Sequence, residues 1–498
     1  MTTIESSRIP EDVRDLCVRL RAAGHQAHLV GGGIRDLLLG RPPADFDVAT
    51  DAHPEQVLAL FGSRFSIPTG LKHGTVTVVT TLASADPDGG DDLGAAGGAG
   101  AGDGEGDREG EGRPDVAAPR RRHVEVTTFR GEGAYLDGRR PSTVTYVRTL
   151  EEDLSRRDFT MNAIGYDPVK GVLTDPFDGQ RDLDLRLVRA VGDPVARFRE
   201  DGLRPLRAVR QATQLDFAID PPTLDAIAQT LDVFRRVSAE RVRDEMVKLL
   251  CAPRPSTGIE LLRHTGLLAE ILPELLEGVG VTQNRFHSHD VYQHTLAVVD
   301  ATLGDPITRL GALLHDIGKP RARQPREGAP GEHSFFKHEH VGAEMADAIC
   351  RRWKLSNADR DKVVGLVAQH MFFYTPDWTD GTVRRFVRKV GPDQLGALFA
   401  LREGDIRGRG KGEDPEGELG ELRRRIGAVA AADAAMKVGD LAIDGRDVMR
   451  ILGRGPGREI GTLLAQLLER VLDDPRLNTP EELERLLSHM VPPGAPSK

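Results

Sequence analysis

The strongest constraint on this chain is a change of pattern between about residues 185 and 195. Ahead of it, runs with two-residue alternation, GTVTVVTTL (74–82) and HVEVTTF (123–129), read as strands and mix with helical stretches. Beyond it the periodicity is helical: REDGLRPLRAVRQATQL, then PPTLDAIAQTLDVF, then SAERVRDEMVKLLCA. At 498 residues the chain exceeds what one hydrophobic core serves, and about three or four domains are expected. The reading is an α+β chain. A small head of mixed sheet and helices spans 1–185, an all-α neck 186–280, a histidine-rich helical domain 281–410 and a helical tail 411–498. KGEDPEGE (411–418) reads as a linker, and the tail as two or three amphipathic helices with a Pro-rich end.

Residues 83–118 are Gly-rich, acidic and nearly without large apolar side chains. Nothing there offsets the entropy of ordering, so a disordered insertion is expected, one that lengthens a hairpin loop without breaking the head. The stretch also hides the charge balance. Formal net charge is −10, but this segment carries ten acidic residues and two arginines, which leaves the remainder near −2. Basic runs then stand out: Arg120-Arg121-Arg122, Arg139-Arg140, Arg156-Arg157, Arg384-Arg385 and Arg407 to Lys411. Each is either solvated surface or a contact for RNA. Three isolated cysteines (Cys17, Cys251, Cys350) supply neither a disulfide framework nor a Cys-based zinc site. No apolar run approaches the roughly 18 residues of a membrane span, and MTTIESSRIPEDVRDL has no secretory pattern. A cytoplasmic protein with no membrane partner is expected.

The first candidate chemistry lies in AHLVGGGIRDLLLG and the DFDVAT that follows. Asp45 and Asp47 stand at i and i+2 of a predicted strand, so both carboxylates face one side while Phe46 and Val48 face the core. Carboxylates held that close repel unless a cation lies between them, and oxygen-only ligands suit Mg²⁺. A bare DxD is common in turns and caps; its neighbours make it specific. Gly31-Gly32-Gly33 sits between a strand and a helix, where backbone N–H groups favour phosphate, and Arg35 in the first turn can clamp a triphosphate. In HVEVTTF, Glu125 falls on the polar face and offers a third carboxylate from a neighbouring strand. Further on, Asp201 and Arg204 stand at i and i+3 of a predicted helix, an acceptor and several donors on one face, able to imitate a Watson–Crick edge. Alone, they would make an ordinary surface ion pair.

LVGGGIRDLLLGRPPADFDVAT closely resembles the signature of the class II CCA-adding enzymes and bacterial poly(A) polymerases of the polymerase-β superfamily. Further blocks follow in the family's order: VEVTTFR (124–130), EEDLSRRDFTMNAIGY (151–166), LTDPFDGQRDL (173–183), RFREDGLRPLRAVR (197–210) and ERVRDEMVKLL (240–250). The resemblance implies a polymerase-β-like nucleotidyltransferase head and template-independent addition of C, C and A to the 3′ end of tRNA. CTP and ATP would be the donors, pyrophosphate would leave, and the chemistry would be that of two metal ions. It makes Asp45 and Asp47 the ligands of Mg²⁺, with Glu125 assisting the attacking 3′-hydroxyl. Gly32, Gly33, Arg35 and Arg157 would bind the triphosphate; Asp158 and Asn162 are either structural or touch the ribose. Asp201 and Arg204 would select the base, with Glu200 orienting Arg204. The helical neck and tail would hold tRNA by shape and backbone charge. Two siblings compete, a poly(A) polymerase and an enzyme adding only CC or only A. Gly131 to Tyr146 is long enough for the flexible loop that full CCA-adding enzymes use in switching from C to A.

A second chemistry follows in the histidines. His294 lies in DVYQHTLAVVD, His315-Asp316 in LGALLHDIGKP, His338 and His340 in FFKHEHVGAE, and His370 in VAQHM. Imidazole with carboxylate suits a divalent transition metal. The region resembles the HD-domain phosphohydrolases, with the pattern H…HD…D. His294, His315, Asp316 and Asp405 supply that set, and His338, His340 and His370 are candidates for a second metal position or a phosphate contact. A rival reading therefore makes a metal-dependent phosphohydrolase the main activity and the head a non-catalytic RNA-binding module.

Overall fold

Seven short runs rich in β-branched and small residues pair into one mixed sheet: β1 (Ala27–Val30), β2 (Asp47–Thr50), β3 (Ser66–Gly70), β4 (Thr75–Thr81), β5 (Arg121–Thr128), β6 (Gly165–Asp167) and β7 (Val172–Thr174). The computed structural model describes residues 4–81, 121–131, 145–283, 288–326, 333–412, 414–431 and 437–490. The insertion 83–118, Arg120, most of the Gly131 to Tyr146 loop with Arg139-Arg140, and the Pro-rich end lie outside the described residues. The sheet order is β3-β4-β5-β2-β1-β6-β7. The alternation in 74–82 and 123–129 predicts an antiparallel pair, and β4 and β5 form one, in register from Thr75–Thr127 to Thr81–Arg121. The long insertion thus joins the ends of two strands that pair fully without it.

The central pairing is β2 with β5, parallel, with Asp47 opposite Glu125, Val48 opposite Val126 and Thr50 opposite Thr128. Alternation puts Val48, Val124 and Val126 in the core, each at most 1% exposed. Helices α1 (Glu11–Ala22), α2 (Gly32–Leu38) and α3 (Pro54–Phe61) interleave with the first strands, and α4 (Leu150–Ser155) and α5 (Gly179–Asp184) follow the hairpin. One apolar cluster locks these pieces: Val30, Ala49, Phe129, Leu150, Leu154, Ala163 and Val191. α6 (Pro194–Glu200) and α7 (Arg204–Leu215) lead into the helical remainder. Contacts divide the chain into two units, Met1–Arg204 with Phe217–Arg236, and Pro205–Asp216 with Val237–Lys498.

The second unit is helical among its described residues, apart from a two-residue ladder, Gln324-Pro325 with His333-Ser334. Two glycines allow its closest approaches. A Cβ on Gly404, in the helix Pro392–Gly408, would run into Thr302 Oγ1 at the end of the helix Val291–Ala301. One on Gly318 would strike the backbone of His338 and Gly342, so only glycine lets that turn lie on the helix His338–Arg352. In the tail, the helices Gly445–Leu452, Arg458–Asp473 and Pro480–Met490 close over their own apolar cluster, in which Val448, Leu467, Val471, Leu483 and Leu487 are fully buried.

Phe129 is fully buried at the end of β5. Phe129→Ala should remove about 3–5 kcal/mol from the head's stability, read by native-state hydrogen exchange on the β1, β2 and β5 peptides. A loss below about 1 kcal/mol would contradict this packing.

Candidate functional site

In the head, the strand ladder begins at Asp47; Asp45 lies just ahead of it and is exposed, while Phe46 and Val48 are buried. The sequence expectation that both aspartates belong to the strand is thus corrected by two residues. Both still bear on one place. Asp47 is partly buried, and its carboxyl is pushed up to about 6 by burial and then by the charge of Asp45, against the pull of Arg157. Glu125, directly across the β2–β5 ladder and exposed, adds to the push. Three carboxylates converging where one already resists ionisation form a site whose charge suits a divalent cation.

The glycine turn is fitted against this group. Gly31 has φ +78°, and a Cβ there would lie 3.1 Å from Arg157 Nη1 and 3.4 Å from Asp47 Oδ2. Gly33 is buried, and a Cβ would stand 2.7 Å from the Asp45 carbonyl oxygen. A side chain at Gly33 would displace the Asp45 backbone, and one at Gly31 would strain a left-handed turn and crowd Arg157. Gly32 is partly exposed and faces the Arg35 guanidinium. Arg35 donates to Asp36 Oδ1 at 2.9 Å and 2.7 Å and to Asn162 Oδ1 at 3.1 Å. Asn162 in turn donates to Asp158 Oδ1 at 3.2 Å. Asp158 and Asn162 thus orient the arginine of the glycine turn.

Sequence reasoning missed Asp153. It is 1% exposed and receives Arg156 at 2.6 Å and Arg157 at 3.3 Å. Burial alone would raise its carboxyl, but the two guanidiniums outweigh that and hold it below the usual range. The available signal was the i,i+3 and i,i+4 spacing in EEDLSRR. The Arg156-Arg157 run is therefore spent partly on this buried carboxylate.

The predicted shared helical face of Asp201 and Arg204 does not form. α6 ends at Glu200, Asp201 is extended with φ −141°, and α7 begins at Arg204. Gly202 makes the break: a Cβ there would meet the Val233 carbonyl at 2.5 Å, so the chain turns against that backbone. Arg204 is 8% exposed and donates to the carbonyls of Arg197 (2.8 Å) and Arg156 (2.9 Å) and to the Glu200 carboxylate. It ties the neck to the RRDFT block. Elsewhere, Arg384 is buried and donates to the Leu472 carbonyl at 2.8 Å, and Arg385 pairs with Glu469 and Asp473. That basic run anchors the tail helix and is not an open cationic patch.

In the second unit the histidines converge. His294 stands on the helix Val291–Ala301, His315-Asp316 just past the helix Pro306–Leu314, and Asp405 on Pro392–Gly408. His338 begins the helix His338–Arg352, and His370 follows Asn357–Gln369. All six are buried. His340 does not join them; its side chain is 71% exposed and sits by Glu339, because helical geometry turns it away from His338. Each of the four imidazoles has Nδ1 at a main-chain carbonyl: His294 at Gly408 (3.1 Å), His315 at Ala312 (2.7 Å), His338 at Phe335 (2.8 Å) and His370 at Val367 (2.8 Å). With Nδ1–H donating, Nε2 is left as an inward lone pair, the tautomer a metal requires. The donor set and its burial fit a transition-metal ion.

Lys319 and Arg402 were also missed. Lys319 Nζ is 2.6 Å from Asp316 Oδ2, and Arg402 Nη1 2.8 Å from Asp405 Oδ2. Lys319 could have been found from its place three residues after Asp316. Burial opposes ionisation of Asp316, yet His315 and Lys319 hold its carboxyl well below the usual range.

A mixed sheet presenting carboxylates beside a glycine turn, followed by helical domains, defines a nucleotidyltransferase of the poly(A) polymerase type. Residues 27–86 and 109–189 match the Poly A polymerase head domain, 216–278 the probable RNA and SrmB-binding site of polymerase A, and 287–406 the HD domain. The CCA-adding enzyme of Geobacillus thermodenitrificans (strain NG80-2) is 33% identical over 93% of this chain and 93% of its own. The A-adding tRNA nucleotidyltransferase of Deinococcus radiodurans is 38% identical over 67% of this chain and 77% of its own. The crystal structure of the Bacillus stearothermophilus CCA-adding enzyme in complex with CTP superposes with a TM-score of 0.68 at 29% identity, covering 96% of this chain and 97% of that one. The chain belongs to the CCA-adding enzyme family. Its nucleotidyltransferase head and HD domain both imply dependence on divalent metal. Among the described residues, no helix is long and apolar enough to cross a membrane.

The raised Asp47 carboxyl has a signed consequence. Between its unfolded value, near 4, and about 6 the folded head binds more protons than the unfolded chain, so stability falls as pH rises through that window. In chelator, Asp47→Asn should therefore stabilise the head by about 1–3 kcal/mol above pH 7. The gain should vanish below pH 4, as thermal unfolding would show. A variant less stable than the parent at pH 7.5 would contradict the repulsion.

Proposed function

We propose that the chain adds C, C and A in turn to the 3′ end of tRNA, without a template, using CTP and ATP and releasing pyrophosphate. The observation that carries this reading is the pairing of Asp47 with Glu125 across β2–β5 beside the Gly31 turn. It stands in a chain aligned with CCA-adding enzymes over nearly its whole length. Asp45 and Asp47 would hold Mg²⁺, which when bound lowers the pKa of the attacking hydroxyl and neutralises the leaving group. Glu125, exposed on the same side, assists the 3′-hydroxyl. Arg35, fixed by Asp36 and Asn162, and Arg157, fixed by Asp153, hold the triphosphate over the Gly32-Gly33 backbone. Glu200 holds Arg204 in place, and Asp201, outside either helix, reads the incoming base with it.

The head spans 1–185, the neck 186–280, the HD domain 281–410 and the tail 411–498, a division supported by where the three family matches fall. The protein works in the cytoplasm. Addition of A alone is the second reading, favoured by the Deinococcus relative, which aligns over a smaller share of this chain. His294, His315, Asp316 and Asp405 would hold a divalent transition metal, giving the HD domain a secondary phosphohydrolase activity; the inward Nε2 atoms favour this.

The test is to offer the purified protein a tRNA lacking its terminal CCA, with CTP and ATP separately and together. Two nucleotides with CTP alone and three with both are expected. Long oligo(A), a stop after CC with both present, or growth only on tRNA already ending in CC would sink the reading. Asp47→Ala should reduce incorporation by about a thousandfold or more; near-normal incorporation would remove Asp47 from the site.

A further inference from the structure

Alternation splits the Arg121-Arg122 run of β5 between the two faces of the sheet. Arg122 turns to the face of Val124 and Val126, where its guanidinium lies 3.6 Å from Asp12 of α1 and over the Phe46 ring. Arg121, His123 and Glu125 turn to the other face, and all three are exposed. Their partners on β4 are Thr81, Val79 and Thr77, none of them acidic. Among the described residues, no hydrogen bond or ion pair engages the side chain of Arg121 or His123. Packing accounts for Arg122 and leaves Arg121 and His123 unused.

We propose that Arg121 and His123 hold the RNA strand being extended, through its phosphodiesters: His123 the one nearest the 3′ terminus and Arg121 the one behind it. The proposal rests on the transferase reading of Asp45, Asp47 and Glu125 and adds where the acceptor strand lies. The Gly31 turn and Arg157 stand on the β1 side of Asp47, and β5 flanks β2 on the opposite side. An in-line displacement places the attacking oxygen opposite the leaving pyrophosphate. With the triphosphate over the glycine turn, the hydroxyl arrives over β5, beside Glu125. Past Glu125 the strand runs into the buried cluster of Ala49, Phe129, Leu150 and Leu154, so the open direction is back towards Arg121. Same-face residues of a strand recur about every 6.7 Å, a stride close to one nucleotide of extended backbone.

The chemistry suits a strand whose end keeps changing. A guanidinium or an imidazole N–H donating to phosphate oxygens holds the register of a strand without reading its bases. Successive addition needs this, because the nucleotide at the 3′ end differs after every cycle while the backbone behind it is chemically the same. The order of charge along β5 fits as well. Arg121, four residues before Glu125, draws the anionic backbone, and the neutral hydroxyl end is left beside the carboxylates.

The test uses the full chain, a tRNA already ending in CC, and ATP, a step common to CCA addition and to addition of A alone. Arg121→Ala and His123→Ala should each lower kcat/KM for the tRNA about tenfold, with the KM for ATP unchanged, and Arg121→Lys should recover most of its loss. In Arg121→Ala the slope of log kcat/KM against log salt should become shallower by about 0.7, the value for one phosphate contact to a single strand. A tRNA with a neutral methylphosphonate at one of its two 3′-terminal linkages identifies the partner of each side chain. At the last linkage it should slow the parent as much as His123→Ala does and slow His123→Ala no further; at the one before, the same should hold for Arg121→Ala. Unchanged kcat/KM in both variants would overturn the proposal, as would losses that multiply at both linkages. A raised KM for ATP with tRNA use intact would also overturn it, since the side chains would then belong to the triphosphate. If the parent chain extends no tRNA, the transferase reading falls and the proposal falls with it.

Discussion

The parallel pairing of β2 with β5 puts Asp47 opposite Glu125, and the head holds Asp47 where burial first, then the charge of Asp45, and last that of Glu125 resist its ionisation. A parallel pair needs a long connection between its strands. Here α3, β3 and β4 provide it, so the third carboxylate comes from some 78 residues further along the chain, a long insertion included. Gly31 and Gly33 then let the preceding turn press against both aspartates, and Arg157 approaches over Gly31. Removing the repulsion by mutation would remove the site with it. A divalent cation held by these carboxylates would reverse the sign of that interaction and lower the Asp47 carboxyl from its raised value of about 6.

The second unit solves a related problem with different ligands. The head offers only oxygen from partly exposed carboxylates, which suits a hard ion that keeps much of its water. The HD cluster offers four imidazoles and two carboxylates, all buried, and a main-chain carbonyl faces Nδ1 of each ring, which turns every Nε2 inward. Those carbonyls belong to helix ends and turns, and glycines allow two of the close approaches in this unit, at Gly404 against Thr302 and at Gly318 against His338. Softer nitrogen ligands and fixed orientation favour a transition metal.

Much of this was legible because it is local or periodic. The β4–β5 pairing, the burial of Val48, Val124 and Val126, and the polar placement of Glu125 follow from two-residue alternation alone. Ordered blocks spread over some 230 residues identified the family, which no single motif could. Asp153 and Lys319 were missed although their partners lie within four residues, whereas other misses arise because partners distant in sequence decide local geometry. Gly202 breaks a helix because the Val233 backbone lies against it, so Asp201 and Arg204 do not share a face. Arg384-Arg385 reads as open basic surface until the tail helix supplies Leu472, Glu469 and Asp473. His338 and His340 look equivalent in sequence; the helix start at His338 sends one into the cluster and the other to solvent.

The central claim is that Asp45 and Asp47 hold divalent metal together with the nucleotide. The most direct measurement is Mn²⁺ binding with and without a non-hydrolysable CTP analogue, taking the nucleotide-dependent difference so that the HD cluster cancels. The account predicts that the analogue increases Mn²⁺ uptake by the parent chain and that Asp47→Asn abolishes the increase. An undiminished nucleotide-dependent uptake in Asp47→Asn would contradict it.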